Sequence, residues 1–340
     1  MAHDGRDASR EESFPRSWRF LARAPRNGAS CSVMSHWGEV IQGPVLFEGR
    51  PHVALVTLPD PAHFVTVAAM PAHYGIRCNP SSKSKAMRAA RLVMKKWAPG
   101  LGVELAFHST IPEGVGAGSS TADCTATIYA IREMLGPPAS HASELDILAD
   151  VFAAEGPCDP LILLDGETTL LWGSRSGKLL ETYNVPLPAF FALGFVTEPG
   201  RTVSTVELAR EQAQHPPSSR EIDAFAAVLR DFEHALLARS IDGVAKAAMA
   251  SGSLNQSRCP IDAWDTLMKL SHAVGALGIS CAHSGTAAAF LFDPATADLD
   301  ARLERATREL QRLRAAHIHH FRTDASPRFR RESNEMTIER

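Results

Sequence analysis

Ile111-Pro-Glu-Gly-Val-Gly-Ala-Gly-Ser-Ser-Thr-Ala-Asp123 (IPEGVGAGSSTAD) sets three glycines and a pair of serines directly ahead of a run rich in Ala, Thr and Ile. Upstream, Val103 to His108 alternates as a strand does; downstream, Ser119 to about Leu135 reads as a helix stopped by Gly136-Pro-Pro138. Strand, glycine loop and helix in that order bring backbone N–H groups to the positive end of a helix dipole. Glycine has no Cβ, so those groups can close tightly on an anion. A flexible connection would use the same residues. The loop lacks the Gly-Lys-Ser/Thr of a Walker A motif, and it does not give GxGxxG with an acid about twenty residues on.

The 340 residues are 45% hydrophobic and 21% charged, a globular balance with enough apolar material for two domains. The formal net charge of -3 and the lack of a basic block before the C-terminal tail argue against nucleic-acid binding. No apolar run reaches the length of a membrane span, and the polar start MAHDGRDASREES does not read as a signal. Six cysteines are scattered without CxxC spacing, which fits reduced thiols in a cytoplasmic protein and argues against a zinc site built from them.

Residues 1–20 read as a disordered extension and 321–340 as a tail. VALVTLPD and HFVTVAAM read as two short strands, and Lys83 to Trp97 as a helix with basic exposed positions. A further helix spans about Ala142 to Ala154, and LILLDGETTLLW reads as a hairpin. NVPLP (184–188) marks a domain boundary, giving domains at 21–188 and 189–320. Beyond it come a strand (AFFALGFV), two or three helices between Ser204 and Leu277, the segment GISCAHSGTAAAFLFD and a helix from about Asp298 to Ala315. The histidines of HIHHF (317–321) could bind a metal incidentally and read as solvated. His36 and His283 have no metal-spaced partner and read as structural.

PxxxGxGSS between a strand and a helix resembles the ATP-phosphate loop of the GHMP family of small-molecule kinases. Ser35-His-Trp-Gly-Glu-Val-Ile-Gln-Gly43 is similar to the first signature of that family, and Ala282-His-Ser-Gly-Thr286 running into FLFD is similar to the third. The resemblance covers about residues 20 to 315. Within the family, GEVIQG, GSSTAD and AHSGTAAAFLFDP look like the L-threonine kinase branch, which makes O-phospho-L-threonine. The long N-terminal extension and His36-Trp37 depart from that pattern.

The resemblance implies an α+β fold: an N-terminal domain like domain 2 of ribosomal protein S5 and a ferredoxin-like C-terminal domain, with the site between them. It implies ATP and Mg²⁺ as cofactors, a small amino acid as substrate and a cytoplasmic enzyme, and it is compatible with a homodimer. Pro112, Gly114, Gly116, Ala117, Gly118, Ser119, Ser120 and Thr121 would hold the nucleotide, and Ser120 would ligate Mg²⁺ or else cap the helix. Asp159 would orient the acceptor hydroxyl or take its proton, or else form an Asp-Pro turn. Glu155 is a second candidate metal ligand. Glu39, Gln42, Asp123, Ser284, Gly285, Thr286 and Asn255 are expected around the substrate, with Arg201 a further candidate for a carboxylate. Asp123 could equally offset the helix dipole. Kinases for serine, homoserine or another hydroxylated metabolite, and a ligand sensor that keeps the fold without turnover, are the competing readings.

Overall fold

The computed structural model describes residues 28–324 apart from 142, 165, 202–207, 209 and 211–213, together with a strand at 330–332. Glu48 and Gly49 both take positive φ (51° and 73°), and this two-residue turn folds β1 (Ala29–Phe47) back on β2 (Arg50–Ala72). The two short strands expected from VALVTLPD and HFVTVAAM are one continuous β2. Asp60 faces Ser35 and Phe64 faces Met34, so residues 61–63 have no counterpart and bulge outward. That bulge carries the strand past Pro61, which has no N–H to give to a ladder.

β3 (Ile76–Asn79) runs parallel to β4 (Gly102–Ser109), which pairs antiparallel with β2. Three helices cover this half: α1 (Ser84–Trp97), α2 (Ser119–Leu135) and α3 (Glu144–Glu155). Ala86, Ala89, Ala90, Val93 and Met94 form the buried stripe of α1 at helical spacing. α2 packs on β1 and β2 and against both other helices. Its small residues, such as Ala122, Cys124, Thr125 and Ala126, allow burial on nearly every side. A capping box of Ser143 and Asp146 starts α3.

LILLDGETTLLW is not itself a hairpin. Leu161–Leu163 is a short 3₁₀ turn, and the hairpin is made by β5 (Thr169–Gly173) with β6 (Lys178–Tyr183), β5 also joining β2. Residues 184–190 then connect to the second half. Its elements follow as β7 (Phe191–Val196), α4 (Ser219–Leu237), α5 (Ile241–Asn255), α6 (Trp264–Ala273), β8 (Gly278–Cys281), β9 (Ala287–Phe292), α7 (Leu299–Arg312) and β10 (Ala316–Arg322). The four strands pair antiparallel in the order β10-β7-β9-β8, the ferredoxin-like arrangement. Phe195, Ile279, Phe290 and Phe292 form its core with Leu303 and Leu310 of α7.

One sheet runs through both halves, because Cys281 of β8 pairs with Glu39 of β1. Trp37 is buried at this seam and its Nε1 donates to the Ala288 carbonyl at 2.9 Å. Two readings of the C-terminus need correction. HIHHF lies in β10, where His317 and His320 are exposed as expected but the His319 ring packs against Trp37 with 4.3 Å between ring centroids. The segment 321–340 is not wholly a tail: Phe321 and Arg322 complete β10, and β11 (Arg330–Glu332) pairs with β1 at Ser30–Ser32. The extension at 1–20 and residues 325–329 and 333–340 lie outside the described residues.

Candidate active site

Gly114, Gly116 and Gly118 adopt φ of +77°, +89° and +68°, the left-handed region that disfavours any residue with a Cβ. Space is as restrictive as dihedral angle. A Cβ on Gly116 would lie 2.4 Å from the Ser284 carbonyl oxygen, and one on Gly118 would lie 2.3 Å from the His36 ring. Backbone N–H groups of Thr286 and Ala287 both donate to the Val115 carbonyl, at 3.0 and 2.9 Å. From the other side, Ser35 Oγ donates to the Ala117 carbonyl at 2.8 Å. Two motifs far from it in sequence therefore grip the loop. The cap residue of α2 is Gly118, which has no side chain, so Ser120 does not cap that helix.

The loop forms the floor of a cleft of about 380 Å³. Gly114, Gly116 to Thr121, Asp123, Glu155, Asp159 and Ser284 line it, as the sequence leads one to expect. Lys83, Lys85, Glu113, His36 and His283 line it as well, and these the sequence reading missed. Lys83, read as an exposed helix base, keeps a side chain only 9% exposed and bonds Asp123 at 2.7 Å and Glu113 at 2.6 Å. Lys85 meets Glu155 at 3.1 Å. The signal available was the basic pair in KSK at the start of α1, but nothing local says that those lysines turn inward.

Other expected residues stand elsewhere. Gln42 is buried behind the cleft, where its Nε2 donates to the Cys281 carbonyl at 2.8 Å and its backbone N–H donates to Ser251 Oγ. It ties β1 to the second half and does not reach the cleft wall. Asn255 ends α5, with its carbonyl accepting from Arg258 and Cys259, and Arg201 pairs with Glu198; neither lines the cleft. Thr286 and Gly285 act through the loop they clamp: Gly285 takes φ +129°, and a Cβ there would lie 2.3 Å from the Val115 carbonyl oxygen. Pro112 precedes the lining residues.

A chain of buried polar groups crosses the cleft wall. Asp159 Oδ2 meets His36 Nε2 at 3.1 Å, and His36 Nδ1 faces the Gly38 carbonyl at 3.4 Å and Glu39 Oε1 at 3.5 Å. Glu39 Oε1 in turn meets His283 Nδ1 at 3.3 Å, and His283 Nε2 lies 3.5 Å from Ser284 Oγ. The histidines read as structural are thus the links of this network. Burial alone would lower the His36 pKa, but the Asp159 and Glu39 carboxylates outweigh it and raise the value to about 9. Burial likewise works to raise Asp159, and the His36 imidazolium overrides it, holding that carboxyl below its ordinary value. Glu39 is pushed up by burial, with His36 opposing.

On the opposite wall, burial raises Asp123 to about 6 against the pull of Lys83, and it raises Glu155 against Lys85 and the hydroxyls of Ser120 and Thr121. Among the described residues, Asp123 Oδ1, Glu155 Oε2 and Asp159 Oδ1 are buried oxygens with no hydrogen-bond partner. Unpaired buried carboxylate oxygens are costly, and a cation beside Ser120 would satisfy those of Glu155 and Asp123. The donor set, all oxygen, suits a hard divalent ion such as Mg²⁺.

The crossing sheet, the ferredoxin-like half and the loop-centred cleft together define the two-domain GHMP kinase fold. Family models agree: "GHMP kinases N terminal domain" matches residues 84–164 and "GHMP kinases C terminal" matches 232–310. Both halves of the chain are thus similar to the GHMP kinase family. The chain is similar to a homoserine kinase structure from Cytophaga hutchinsonii (16% identity, 91% of this chain and 98% of that one, TM-score 0.65). A mevalonate kinase from L. major in complex with R-mevalonate matches at 15% identity over 90% and 97%, TM-score 0.60. A mevalonate diphosphate decarboxylase from Enterococcus faecalis matches at 13% over 90% and 99%, TM-score 0.63. In sequence, a 4-diphosphocytidyl-2-C-methyl-D-erythritol kinase of Parvibaculum lavamentivorans is 26% identical over 137 residues, 40% of this chain. That alignment spans 44% of the relative's length.

Proposed function

We propose that this protein is an ATP- and Mg²⁺-dependent kinase that phosphorylates the side-chain hydroxyl of a small amino acid, L-threonine, to give O-phospho-L-threonine. The observation that carries the reading is the meeting of the glycine loop at the head of α2 with the His36–Asp159 pair in one cleft. In this reading the backbone from Gly114 to Ser120 and the first turn of α2 hold the nucleotide phosphates. Ser120, Glu155 and Asp123 hold Mg²⁺, which neutralises phosphate charge when bound. Lys83 and Lys85 position those carboxylates and add positive charge to the cleft.

Asp159 has one oxygen fixed by His36 and the other without a partner, which suits it to receive the acceptor hydroxyl. The hydroxyl oxygen bonds to the γ-phosphorus as the bond to the β-bridging oxygen breaks and ADP leaves. The hydroxyl proton passes to Asp159. A carboxyl held below its ordinary pKa is a weak base, so Asp159 orients the hydroxyl first and accepts the proton late. That order fits a loose transition state, in which the oxygen needs little activation. His36 keeps Asp159 ionised and aligned, and His283 with Ser284 closes the acceptor side.

The choice of L-threonine rests on GEVIQG, GSSTAD and AHSGTAAAFLFDP. The test is ADP release measured side by side with L-threonine, L-serine, L-homoserine and small amino alcohols, with phosphorus NMR of the product. A clear preference for L-threonine with a phosphomonoester product is expected. Preference for another acceptor would reassign the substrate, and nucleotide binding with no turnover on any of them would favour a sensor.

A further inference from the structure

We propose that Asp60, His63 and His319 form a binding site for a divalent transition-metal ion of the zinc type, outside the cleft and across the seam between the two halves. Asp60 Oδ2 lies 2.7 Å from His63 Nδ1 and 3.1 Å from His319 Nε2, and the three ligand atoms all fall within 4.8 Å of one another. None of the three residues lines the cleft.

His319 Nδ1 lies 3.1 Å from the His317 carbonyl oxygen, which accepts only from an N–H. That contact leaves Nε2 as the ring's ligand atom, and it is the atom turned towards the Asp60 carboxylate. A metal ion uses a lone pair from each ring and the carboxylate together. Zinc–ligand bonds of about 2.0–2.1 Å set tetrahedral donors roughly 3.3 Å apart, close to the 3.1 Å His319–Asp60 separation, while the 2.7 Å His63–Asp60 contact would open by about 0.6 Å on binding.

Both strands are shaped for this constellation. The residues without counterparts, 61–63, put Asp60 and His63 at the two ends of one bulge in β2, and bulges re-aim side chains. β10 shifts register between Ala316 and His319, with His317 at φ +49°. Opposite His319 stands Gly194, where a Cβ would lie 2.4 Å from the ring. The supporting contacts are those that metal-bound residues use to fix their orientation. Asp60 Oδ1 accepts from the Ala62 N–H at 3.0 Å, His319 Nδ1 donates to His317, and the Trp37 and Phe321 rings flank His319. Asp60 is fully buried, while the His63 and His319 side chains are 20% and 16% exposed, leaving an approach for the ion and a water ligand. Such an ion would staple β2 of the first half to β10 of the second.

The test is Co²⁺ titration of the full-length, untagged protein followed by visible absorption, with Zn²⁺ competition and thermal melts. One equivalent per chain with d–d bands, displaced by Zn²⁺, is expected, together with a melting point a few degrees higher in Zn²⁺. His63→Gln and His319→Gln should each weaken binding at least tenfold and abolish the shift, whereas Asp159→Asn should retain both. His63→Gln, at the accessible edge, keeps the test open if His319→Gln does not fold. No stoichiometric Co²⁺ uptake by the wild type, or uptake unchanged in His63→Gln, overturns the proposal without bearing on phosphoryl transfer.

Discussion

Replacing His36 by Gln removes a buried cation whose contribution can be worked out from its titration. The group is almost fully buried, and its pKa rises from 6.5 to about 9 because Asp159 and Glu39 overcome the cost of burial. At about 1.4 kcal/mol per tenfold, the rise corresponds to about 3 kcal/mol of folding stability. The sign follows from proton counts. Above 6.5 the unfolded imidazole has lost its proton while the folded one keeps it, so stability is complete below 6.5 and drains as pH climbs through about 9. The slope is about 1.4 kcal/mol per pH unit in that window. Urea unfolding from pH 6.5 to 7.5 is the assay, because cysteine thiols in the unfolded chain, with an ordinary value of about 8.5, titrate above it. The wild type should lose about 1 kcal/mol across that window, and His36→Gln should show a flatter profile. The variant should also be less stable at pH 6.5 by about 3 kcal/mol or more, since it leaves Asp159 buried without its partner. A variant that keeps the wild-type slope would refute the assignment of a buried imidazolium at His36.

Three further outcomes follow from the same cleft. Asp159→Asn should lower kcat by about 10²–10⁴ while ATP still binds, as read by single-turnover kinetics beside nucleotide titration; unchanged turnover would dismiss its role. Gly118→Ala should raise the KM for ATP at least tenfold, because φ of +68° disfavours a Cβ and the new methyl would meet the His36 ring. An unaltered KM would mean the loop is not the phosphate cradle. Without Mg²⁺, nucleotide affinity should fall as pH drops through about 6, where Asp123 takes up a proton and loses its hold on Lys83. Asp123→Asn should bind nucleotide with no such limb, and a limb that persists would belong to another group.

The loop was legible because its requirements are local. Three glycines at positive φ and a helix behind them follow from neighbours in sequence, and the ferredoxin-like half followed from motifs that the family keeps in order. What escaped was set by contacts more than a hundred residues apart. His36 looks like a lone histidine until Asp159 is placed 3.1 Å away, and Gln42 looks like a ligand until Cys281 claims its amide. Lys83 shows the same limit, since amphipathic spacing places a helix against its core but says nothing of residues just ahead of its first turn. β2 was misread for a related reason: Pro59 and Pro61 are strong breakers locally, and only pairing with β1 reveals that a bulge absorbs them.

The acceptor is harder to read than the fold, and the relatives explain why. Structures at 13–16% identity with TM-scores of 0.60–0.65 include two kinases and a decarboxylase. A backbone shared across such different chemistry cannot itself choose a substrate; the choice falls to the few side chains that meet the acceptor. In the proposed reading those side chains would be Asp159, His283 and Ser284, which His36 and Glu39 join into one buried network. Because Glu39 links both histidines, a neutral amide there should disturb the His36 and His283 ends together. Glu39→Gln is therefore expected to change acceptor KM and, because Glu39 helps raise His36, the pH dependence of stability in one step. Independent changes in the two would separate substrate recognition from the charge network.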